Sequence, residues 1–435
     1  MATTGDAIAW QPGHLRRVVL ASLIGTTVEW YDFFLYGSAA ALIFNKLFFP
    51  SLDPLSGTLA AFATYALGFF ARPIGGIVFG HFGDRIGRKR LLMLSLVLMG
   101  LATTAVGLLP TYAMVGIWAP IGLTLLRLVQ GFAVGGEWGG AVLLAAEHGD
   151  AKRRGFWASW PQAGVPAGNL LAAGILAVLA GTQKEADFIA WGWRIPFLLS
   201  LILVAIGWWI RMSVAESRAF EKEIEAAPPP KVPAMEVLRE RPKALLTGAG
   251  LRLGENVCYY IITTFSLTWM TTVGKLSRER ALDAILIGAA VHFFLIPALG
   301  RLSDAIGRRT VYAIGGFGMA AFGFVFFNLL GSGGLAMATV AIVVALFFHG
   351  AMYGPQAAFI AELFPTRIRY SGASIAYQLT SIVAGSLAPL IALALYQRSH
   401  SSVPVSIYVG ACCAVSGITA LLARETKGVE LSEIR

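Results

Sequence analysis

The stretch GHFGDRIGRKR, which runs from Gly80 to Arg90, lies between two long apolar runs of this chain. It returns 220 residues later as GRLSDAIGRR, from Gly300 to Arg309. In both copies an Asp follows the first Gly by four positions, and Ile-Gly-Arg begins two residues after that Asp. A basic loop that occurs twice, at the same point of two hydrophobic halves, indicates a duplicated membrane protein.

The composition also favours a polytopic membrane protein. Of the 435 residues, 57% are hydrophobic and 13% are charged, against about 25% charged in soluble domains. Apolar runs of about 20 residues, the length that crosses a bilayer, lie near 19–45, 57–80, 91–110, 113–146, 155–181, 192–214, 244–273, 281–302, 311–330, 333–362, 371–397 and 403–423. We therefore predict an all-α membrane protein with twelve transmembrane helices in two six-helix bundles. The bundles span residues 1–214 and 244–435, and a hydrophilic linker joins them at 215–243.

The formal charge of +10 could suggest nucleic acid as a partner, but its distribution argues against that. If both termini lie on one side, 24 Lys and Arg residues fall on that side, six fall on the opposite side, and the remaining four lie within or at the edge of the apolar runs. This bias is the positive-inside pattern, and it predicts that both termini are cytoplasmic.

The sequence lacks the motifs that are typical of several classes of enzyme and of metal sites. The three cysteines, Cys258, Cys412 and Cys413, lie inside apolar runs and have no metal-binding spacing. The chain contains no phosphate-binding loop of the GxxxxGK[ST] type and no H-E-x-x-H or G-x-S-x-G run. We expect neither an enzyme nor a bound metal or cofactor, so an ion gradient is the plausible energy source.

The two loops and the cytoplasmic Glu/Arg pairs at 147/154 and 362/369 resemble the signature loops of the major facilitator superfamily. Five further runs resemble its metabolite:proton symporter family: EWYDF (29–33), ARPIGG (71–76), RLVQGFAVGGEWGGA (127–141), RLGENVCYYIITTFSLTWM (252–270) and FIAELFPTRIRYSGASIAYQ (359–378). One departure is Thr26, where many relatives have Asn. The resemblance implies a proton-coupled carrier in a bacterial inner membrane.

Buried carboxylates are the candidates for proton coupling. Glu29 and Asp32 share one face of the first helix, and two carboxylates this close in low dielectric cannot both ionise cheaply. Arg127 and Glu137 share a face of the fourth helix, and Arg127 resembles the buried arginine of the superfamily's fourth-helix motif. The alternatives are permanent pairs: each first-helix carboxylate with an Arg on another helix, and Arg127 with Glu137.

Polar and aromatic stripes on the helices are the candidates for a substrate cavity. Arg72 would lie inside the bilayer, where its guanidinium could clamp a carboxylate or brace the helix at Pro73. His292 could titrate near neutral pH or have only a structural role. The predicted substrate-binding residues are Tyr36, Arg72, Gln130, Trp138, Gln162, Arg252, Glu255, Asn256, Tyr259, Tyr260, Gln356, Tyr377 and Gln378.

The two loops are the candidates for a gate. Asp84 could cap the helix that follows it, while Arg88 could pair with an acid across a cytoplasmic interface. Positive charge that only sets topology is the alternative, but it does not explain an Asp at the same place in both copies. The predicted gating residues are Gly80, Asp84, Arg85, Gly87, Arg88, Glu147, Arg154, Asp304, Gly307, Arg308, Glu362 and Arg369.

Three functions remain open from the sequence. By resemblance we predict a monomeric secondary transporter that imports a small organic acid, of the mono- or dicarboxylate or shikimate-like kind, with protons. A carrier of zwitterionic osmolytes such as proline or betaine is the runner-up, although Glu425–Arg435 is too short for the coiled coil that osmosensing relatives tend to carry. A membrane sensor that transports nothing is disfavoured, because a sensor needs neither gates nor buried carboxylates.

Overall fold

The computed structural model of the protein describes residues 12–212 and 232–434, and within these ranges it contains helices and no strands. The first half contains α1 (Pro12–Ala39), α2 (Pro54–Ile86), α3 (Arg88–Leu108), α4 (Trp118–His148), α5 (Arg154–Thr182) and α6 (Arg194–Met212). The second half contains α7 (Pro242–Tyr260), α8 (Arg278–Ile306), α9 (Arg308–Leu330), α10 (Leu335–Ala361), α11 (Arg369–Leu379) and α12 (Val403–Leu422).

Three helices continue beyond these bounds through π-helical turns. The π-helical turns are Ala40–Phe44 after α1, Ile261–Phe265 after α7 and Ser381–Ser386 in the continuation of α11. The helices resume as Asn45–Phe48, Ser266–Thr272 and Ala388–Ser399. Most of the predicted linker, residues 215–231, lies outside the described residues, and its last part contains a short helix, Pro233–Glu240.

Eleven helices in the described ranges are long and apolar enough to cross a membrane, judged by length and composition. Their bounds follow the apolar runs closely: the run at 155–181 is α5, and the run at 333–362 is α10. The predicted span at 244–273 corresponds to α7 and its continuation, which are not among the eleven. Arg252, Glu255 and Asn256 lie on α7, and such polar side chains lower its hydropathy.

The predicted basic loop is in fact helical. The α2 helix runs through Gly80 to Ile86, and α3 begins at Arg88, so that a single residue, Gly87, separates them. Gly87 has φ 103° and ψ 151°, and Gly307 between α8 and α9 has φ 105° and ψ 151°. Only glycine adopts this backbone conformation without strain. The repeat is therefore a helix–glycine–helix corner, which turns the chain sharply in both copies.

The two halves contact each other along few helices. Within the first half α1 packs on α5 and α2 packs on α4, while α8 and α10 pack together in the second. Across the boundary α5 lies against α8, and α2 lies against α11. Gly135 permits the close packing of α2 on α4, because a Cβ atom there would overlap the carbonyl oxygen of Arg72. These contacts bring the two helix–glycine–helix corners to the boundary between the halves.

Candidate transport site

Asp84 joins the first half to the second. Its two carboxylate oxygens accept hydrogen bonds from the backbone N–H groups of Tyr370, at 3.0 Å, and Ser371, at 2.8 Å. These donors belong to the first turn of α11, where unpaired N–H groups favour a negative charge. The prediction that Asp84 caps the helix following it is therefore wrong: it caps a helix of the other half.

Asp304 makes the corresponding contact in the opposite direction. Its oxygens accept from the backbone N–H groups of Gly155, at 2.9 Å, and Phe156, at 2.8 Å, at the start of α5. The second half thus caps a helix of the first half. The two copies of the repeat hold the halves together by the same reciprocal contact.

Two buried glutamates each pair with arginines from both halves. Glu147 binds Arg88 of its own half and, at 3.0 Å, Arg369 of the other half. These side chains are inaccessible to solvent. Arg88 was expected to reach an acid across the interface; it pairs with Glu147 of its own half, and across the boundary it donates to the carbonyl oxygen of Thr366 at 3.2 Å.

Glu362 repeats this arrangement in the second half. It pairs with Arg308 of its own half at 3.4 Å and with Arg154 of the first half at 2.8 Å. The chain's last described segment covers this layer, because Arg154 donates to the carbonyl oxygen of Val429 at 2.9 Å and Arg369 to that of Leu431 at 3.0 Å. Removing one partner of such a buried pair costs about 3–5 kcal/mol.

Gly80 and Gly300 allow the helices carrying the aspartates to approach the other half. A Cβ atom at Gly80 would lie 2.8 Å from the Cα atom of Ser371, and one at Gly300 would lie 2.5 Å from Ser159 Oγ. Arg85 differs from the other predicted gating residues, since it is exposed and contacts His81 at 3.4 Å, outside the buried network.

A separate pocket in the first half contains three carboxylates. Glu29, Asp32 and Glu137 all line a cavity of about 10 Å³, which is room for about one water molecule. Glu137 pairs with Arg211 of α6 and accepts a hydrogen bond from Ser95 Oγ at 2.7 Å. The alternative in which Glu137 pairs permanently with Arg127 is therefore wrong.

Arg127 is connected to Asp32 through other polar groups. Its Nη1 donates to Gln130 at 3.0 Å, Gln130 donates to Thr103 at 2.8 Å, and Thr103 donates to Asp32 at 2.9 Å. Ser200 Oγ donates to the second oxygen of Asp32 at 2.5 Å. Asp32 thus has hydroxyl partners and no arginine in hydrogen-bond contact among the described residues, so the alternative of a permanent Arg pair does not hold for it.

Aromatic rings surround the guanidinium groups of Arg127 and Arg72. The Arg127 guanidinium lies 4.5 Å from the Tyr36 ring centroid and 4.6 Å from that of Tyr65. Arg72 lies 4.5 Å from the Phe69 ring and 4.7 Å from the Phe33 ring. Such cation–π contacts hold an arginine in a fixed position without neutralising its charge.

A second small polar cavity lies where the two halves meet. It has about 10 Å³ of free volume and is lined by Trp30, Val165, Arg252, Glu255, Asn256, Tyr259, Tyr260, His349, Tyr353 and Tyr377. Arg252 pairs with Glu255. When the Asn256 amide is oriented so that its oxygen faces the guanidinium, that oxygen accepts a hydrogen bond from Arg252 Nη2 at 3.0 Å. The Arg252 guanidinium also lies 3.6 Å from the Tyr377 ring centroid.

Trp138 of the first half packs against Tyr377, one of the residues that line this cavity. Its ring stacks on that of Tyr377 with centroids 3.7 Å apart, and its Nε1 donates to Gln162 at 2.7 Å. Gln162 in turn donates to the carbonyl oxygen of Tyr353. The stack of Trp138, Tyr377 and Arg252 therefore crosses the boundary between the halves.

The remaining predicted substrate residues differ in their distance from this cavity. Gln356 donates to Glu255 at 3.2 Å and to Tyr312 at 2.8 Å. Gln378 donates to the carbonyl oxygen of Gly135 at 3.2 Å, so it joins α11 to α4. Tyr36 shares a 2.7 Å hydrogen bond with Thr64 in the first half, and is not among the residues lining the central cavity.

Sequence reasoning missed several residues of these sites. Arg211 is one of the 24 Lys and Arg residues that were predicted from the sequence to lie on the cytoplasmic side, yet it is 4% exposed and pairs with Glu137. Its position in the last turn of α6, one turn inside the membrane run, was the available signal. Ser95, Thr103 and Ser200 are single hydroxyls in apolar helices, and no pattern in the sequence distinguished them.

Two helical halves that share reciprocal helix caps and enclose a small polar cavity define a membrane transporter. The chain belongs to the Major Facilitator Superfamily, because the model of that family matches residues 22–389. It is therefore a multi-pass transporter of a bacterial inner membrane, and not an enzyme.

Three curated relatives extend over nearly the whole chain. The shikimate transporter of Escherichia coli (strain K12) is 42% identical over 419 residues, which cover 95% of each chain. The inner membrane metabolite transport protein YhjE of the same strain is 40% identical over 416 residues, 94% of each chain. The proline/betaine transporter of Salmonella typhimurium (strain LT2) is 34% identical over 433 residues, covering 98% of this chain and 86% of that protein.

The fold is also that of a solved transporter. The proton:xylose symporter XylE bound to 6-bromo-6-deoxy-D-glucose matches with a TM-score of 0.76 at 17% identity, covering 98% of this chain and 99% of that chain. At this identity the likeness concerns the fold alone.

Proposed function

We propose that this protein imports a small organic acid together with protons, by alternating access of a central cavity. The observation that carries the proposal is Arg252 in the cavity between the halves. Its guanidinium faces Glu255 and Asn256 and stacks on Tyr377. A buried guanidinium can bind both oxygens of a carboxylate. The similarity to the shikimate transporter supports a carboxylate substrate with a hydroxylated ring.

The proposed topology has twelve spans, with α7 and its continuation to Thr272 as the seventh, and two bundles joined by the linker at 215–243. Both termini are cytoplasmic in this proposal, because 24 of the 34 Lys and Arg residues then lie on that side. The reciprocal aspartate caps and the two Arg–Glu–Arg groups form the cytoplasmic gate. All of these contacts are formed in this structure, which in this proposal represents the closed state of the gate.

Proton coupling is supported by the pocket of Glu29, Asp32 and Glu137. A charged side chain within the membrane costs about 2.5–3.5 kcal/mol on insertion scales, so three carboxylates around one cavity require a reason. Glu137 has a permanent counter-ion in Arg211, whereas Asp32 has hydroxyl partners. Exchange of a proton at Asp32 or Glu29 would change the pocket's charge without breaking an ion pair.

A zwitterionic osmolyte is the second candidate. Trp30, Tyr259, Tyr260, Tyr353 and Tyr377 line the central cavity, and aromatic faces bind quaternary ammonium groups by cation–π attraction. The proline/betaine transporter of Salmonella typhimurium is 34% identical to this chain. Glycine betaine would then place its ammonium group against these rings and its carboxylate on Arg252.

Thermal unfolding of the purified protein with candidate ligands separates the two functions. A ligand that binds the folded state raises the apparent midpoint, by the equivalent of about 2.7 kcal/mol at 100 times its dissociation constant. We expect shikimate to raise the midpoint and glycine betaine and proline to leave it unchanged. The Arg252→Lys variant should lose the shikimate effect, because an ammonium group cannot form the two-oxygen contact.

Arg278→Lys is the matched control, since Arg278 starts α8 and lies outside the cavity lining. It should respond to shikimate like the unaltered protein. A midpoint raised by betaine or proline but by no organic acid would overturn the organic-acid proposal. So would a shikimate response that survives Arg252→Lys.

A further inference from the structure

A chain of three titratable side chains lies in the second half, apart from the carboxylate pocket of the first. Glu255 Oε1 on α7 is 2.8 Å from His349 Nε2 on α10. His349 Nδ1 is in turn 3.0 Å from His292 Nε2 on α8. The three residues are between 1% and 2% exposed. They form one continuous hydrogen-bonded chain across three helices, which starts at the central cavity.

The partners of this chain determine which nitrogen atoms carry protons. Glu255 is paired with Arg252, and an ionised carboxylate only accepts hydrogen bonds. If the His349 ring is neutral, its Nε2 must therefore donate and its Nδ1 must accept. His292 Nε2 is then the donor to His349, which leaves Nδ1 as the unprotonated nitrogen of His292. All bonds in the chain run in one direction, from His292 towards Glu255.

We propose that Glu255, His349 and His292 form a proton site of the second half, and that a proton taken up there neutralises Glu255 and frees Arg252 for the carboxylate of the substrate. This rests on the proposed import of an organic acid. This is a second proton-binding site, in addition to the pocket of Glu29, Asp32 and Glu137. In it, Glu255 is the group that couples proton uptake to anion binding.

The transfer requires no group other than the three side chains. A proton binds at Nδ1 of His292, and the Nε2 proton of that ring moves to Nδ1 of His349. The Nε2 proton of His349 then moves to Oε1 of Glu255. Both imidazoles end neutral with the opposite tautomer, and the single added proton lies on the carboxylate.

Charge balance makes this transfer promote anion binding. A neutral Glu255 leaves the buried Arg252 guanidinium without its counter-ion, which is costly in a low-dielectric site. A substrate carboxylate can restore the pair with two charge-assisted hydrogen bonds. The site with one proton and one carboxylate then has the same net charge as the empty site, so proton and anion bind best together.

The other groups facing the chain do not compete for the proton. Among the described residues around it, Arg252 is the neighbouring permanent charge, and Gln356 donates to Glu255. The remaining titratable neighbours from α7, α9, α10, α11 and α12 are Cys258, Tyr259, Tyr260, Tyr312, Tyr353, Tyr377 and Cys413. Phenols and thiols are ordinarily neutral at pH 7, so the histidines and Glu255 are the groups that exchange a proton there.

Nitrogen NMR of the histidine rings tests the site without any substrate. The chain has six histidines, so ¹⁵N-histidine labelling of the full protein in lipid nanodiscs gives few signals, which His292→Asn and His349→Asn assign. At alkaline pH we expect both rings to be protonated at Nε2. Between pH 9 and pH 5 the two rings should change together, and His292→Asn should move the midpoint of His349.

His400→Asn is the control, because His400 is exposed with φ 49°, a conformation that Asn tolerates. It should leave both signals unchanged. If both rings keep constant shifts from pH 9 to pH 5, the proposal is overturned. It is also overturned if the titration of His349 is the same with and without His292. Should His349→Asn not fold, His349→Gln provides the assignment.

Calorimetry then tests the coupling to substrate. Shikimate binding measured in two buffers of different ionisation enthalpy gives the number of protons taken up. We expect uptake in the unaltered protein and reduced uptake in His292→Asn, with the control unchanged. Equal uptake in His292→Asn would contradict the coupling. If shikimate does not bind at all, the proposed function fails, while the histidine titration still decides whether the proton site exists.

Discussion

The two copies of the helix–glycine–helix corner are nearly identical, whereas the buried polar sites of the two halves are not. Asp84 and Asp304 each cap a helix of the opposite half with hydrogen bonds of 2.8–3.0 Å. Gly87 and Gly307 have the same backbone conformation within 2° in φ. By contrast, the first half buries a cluster of carboxylates, and the second half buries a Glu–His–His chain.

This difference follows from what each region must do. A contact between the halves is made by both of them, so a change in one copy alone would leave donors or charges unpaired in the other. The buried sites lie within one half or line the cavity, where each can change without a matching change elsewhere. The contacts between the halves therefore keep the duplicated pattern, whereas the buried polar sites differ between the halves.

The largest effect on uptake is expected from removing either aspartate charge. Each aspartate accepts from two backbone N–H groups at the start of a helix. When Asn replaces it, in Asp84→Asn or Asp304→Asn, the amide NH₂ group takes the place of one carboxylate oxygen, so one of these N–H groups is left without an acceptor. An unsatisfied buried donor costs about 1–3 kcal/mol. We expect uptake of shikimate by proteoliposomes to fall at least about tenfold, and equally in both variants, since 1.4 kcal/mol is a factor of ten.

The matched control is Arg85→Gln, which changes a charge of the same corner that is exposed and outside the network. Its uptake should remain within about twofold of the unaltered protein. Normal uptake in Asp84→Asn, or a large loss in one aspartate variant only, would break the equivalence of the two corners.

The next largest effect is expected in the carboxylate pocket, where a substitution should change the proton dependence of uptake. Glu137→Gln leaves Arg211 buried without its counter-ion, so we expect a loss of about 3–5 kcal/mol of stability. It also removes a negative charge from the cavity that Glu137 shares with Glu29 and Asp32, so proton exchange at those two carboxylates should change and uptake should no longer follow the pH gradient. The double variant Glu137→Gln/Arg211→Gln should regain most of the stability, because no unpaired charge remains. It should not regain proton dependence.

Thermal unfolding and uptake at several imposed pH gradients provide the two measurements for these variants. Proton dependence that is unchanged in the folded double variant would remove Glu137 from the coupling mechanism. The pocket would then depend on Glu29 and Asp32 alone.

A smaller and symmetrical effect is expected at the corner glycines. Gly87→Ala and Gly307→Ala place a Cβ atom on a backbone with φ above 100°, which costs about 1–3 kcal/mol. Both should lower the unfolding midpoint by a similar amount. Gly174→Ala is the control, because Gly174 is helical and has no atom within 4 Å of the added Cβ atom; it should be neutral. If the unfolding midpoint is lowered in only one of the two corner variants, the two copies do not require glycine equally.

The smallest effect is expected at Arg72. Its guanidinium lies against the Phe33 and Phe69 rings, and Lys replaces a flat group with a compact one that stacks less well. Arg72→Lys should lower stability by about 0.5–1 kcal/mol and change shikimate affinity less than threefold. An affinity loss of tenfold with unchanged stability would instead make Arg72 a substrate contact.

Much of the fold could be predicted from hydropathy and the repeat. The run at 155–181 and helix Arg154–Thr182 differ by one residue at each end, because length and apolar composition determine where a helix can cross the bilayer. The loop prediction at Gly80–Arg90 was wrong, since charged residues there remain helical and only Gly87 departs from the helix. Polar side chains indicate that a segment contacts solvent or a polar partner. They do not by themselves indicate that a helix ends there.

Less of the site could be predicted, because helical spacing gives the face of a side chain and not its partner. Glu29, Asp32 and Glu137 were each predicted as candidates for proton coupling, but the sequence did not predict that α1 and α4 bring them to one cavity. The partner of Glu137 was not found, because Arg211 is 74 residues away on another helix. Long arginine side chains reach inward from helix ends, so a loop charge and a buried ion-pair partner look alike in the sequence.

The central claim is that the two corners act as one gate, and distances across it test this most directly. Spin labels at 85 and 367 report on the α2–α11 contact, and labels at 152 and 301 report on the α5–α8 contact; all four side chains are exposed. In the proposed alternating access each half moves as a body, so Asp84→Asn should lengthen both distances in lipid nanodiscs, and Asp304→Asn should lengthen both to the same extent. A change confined to the mutated corner, or no change in either distance, would contradict the account.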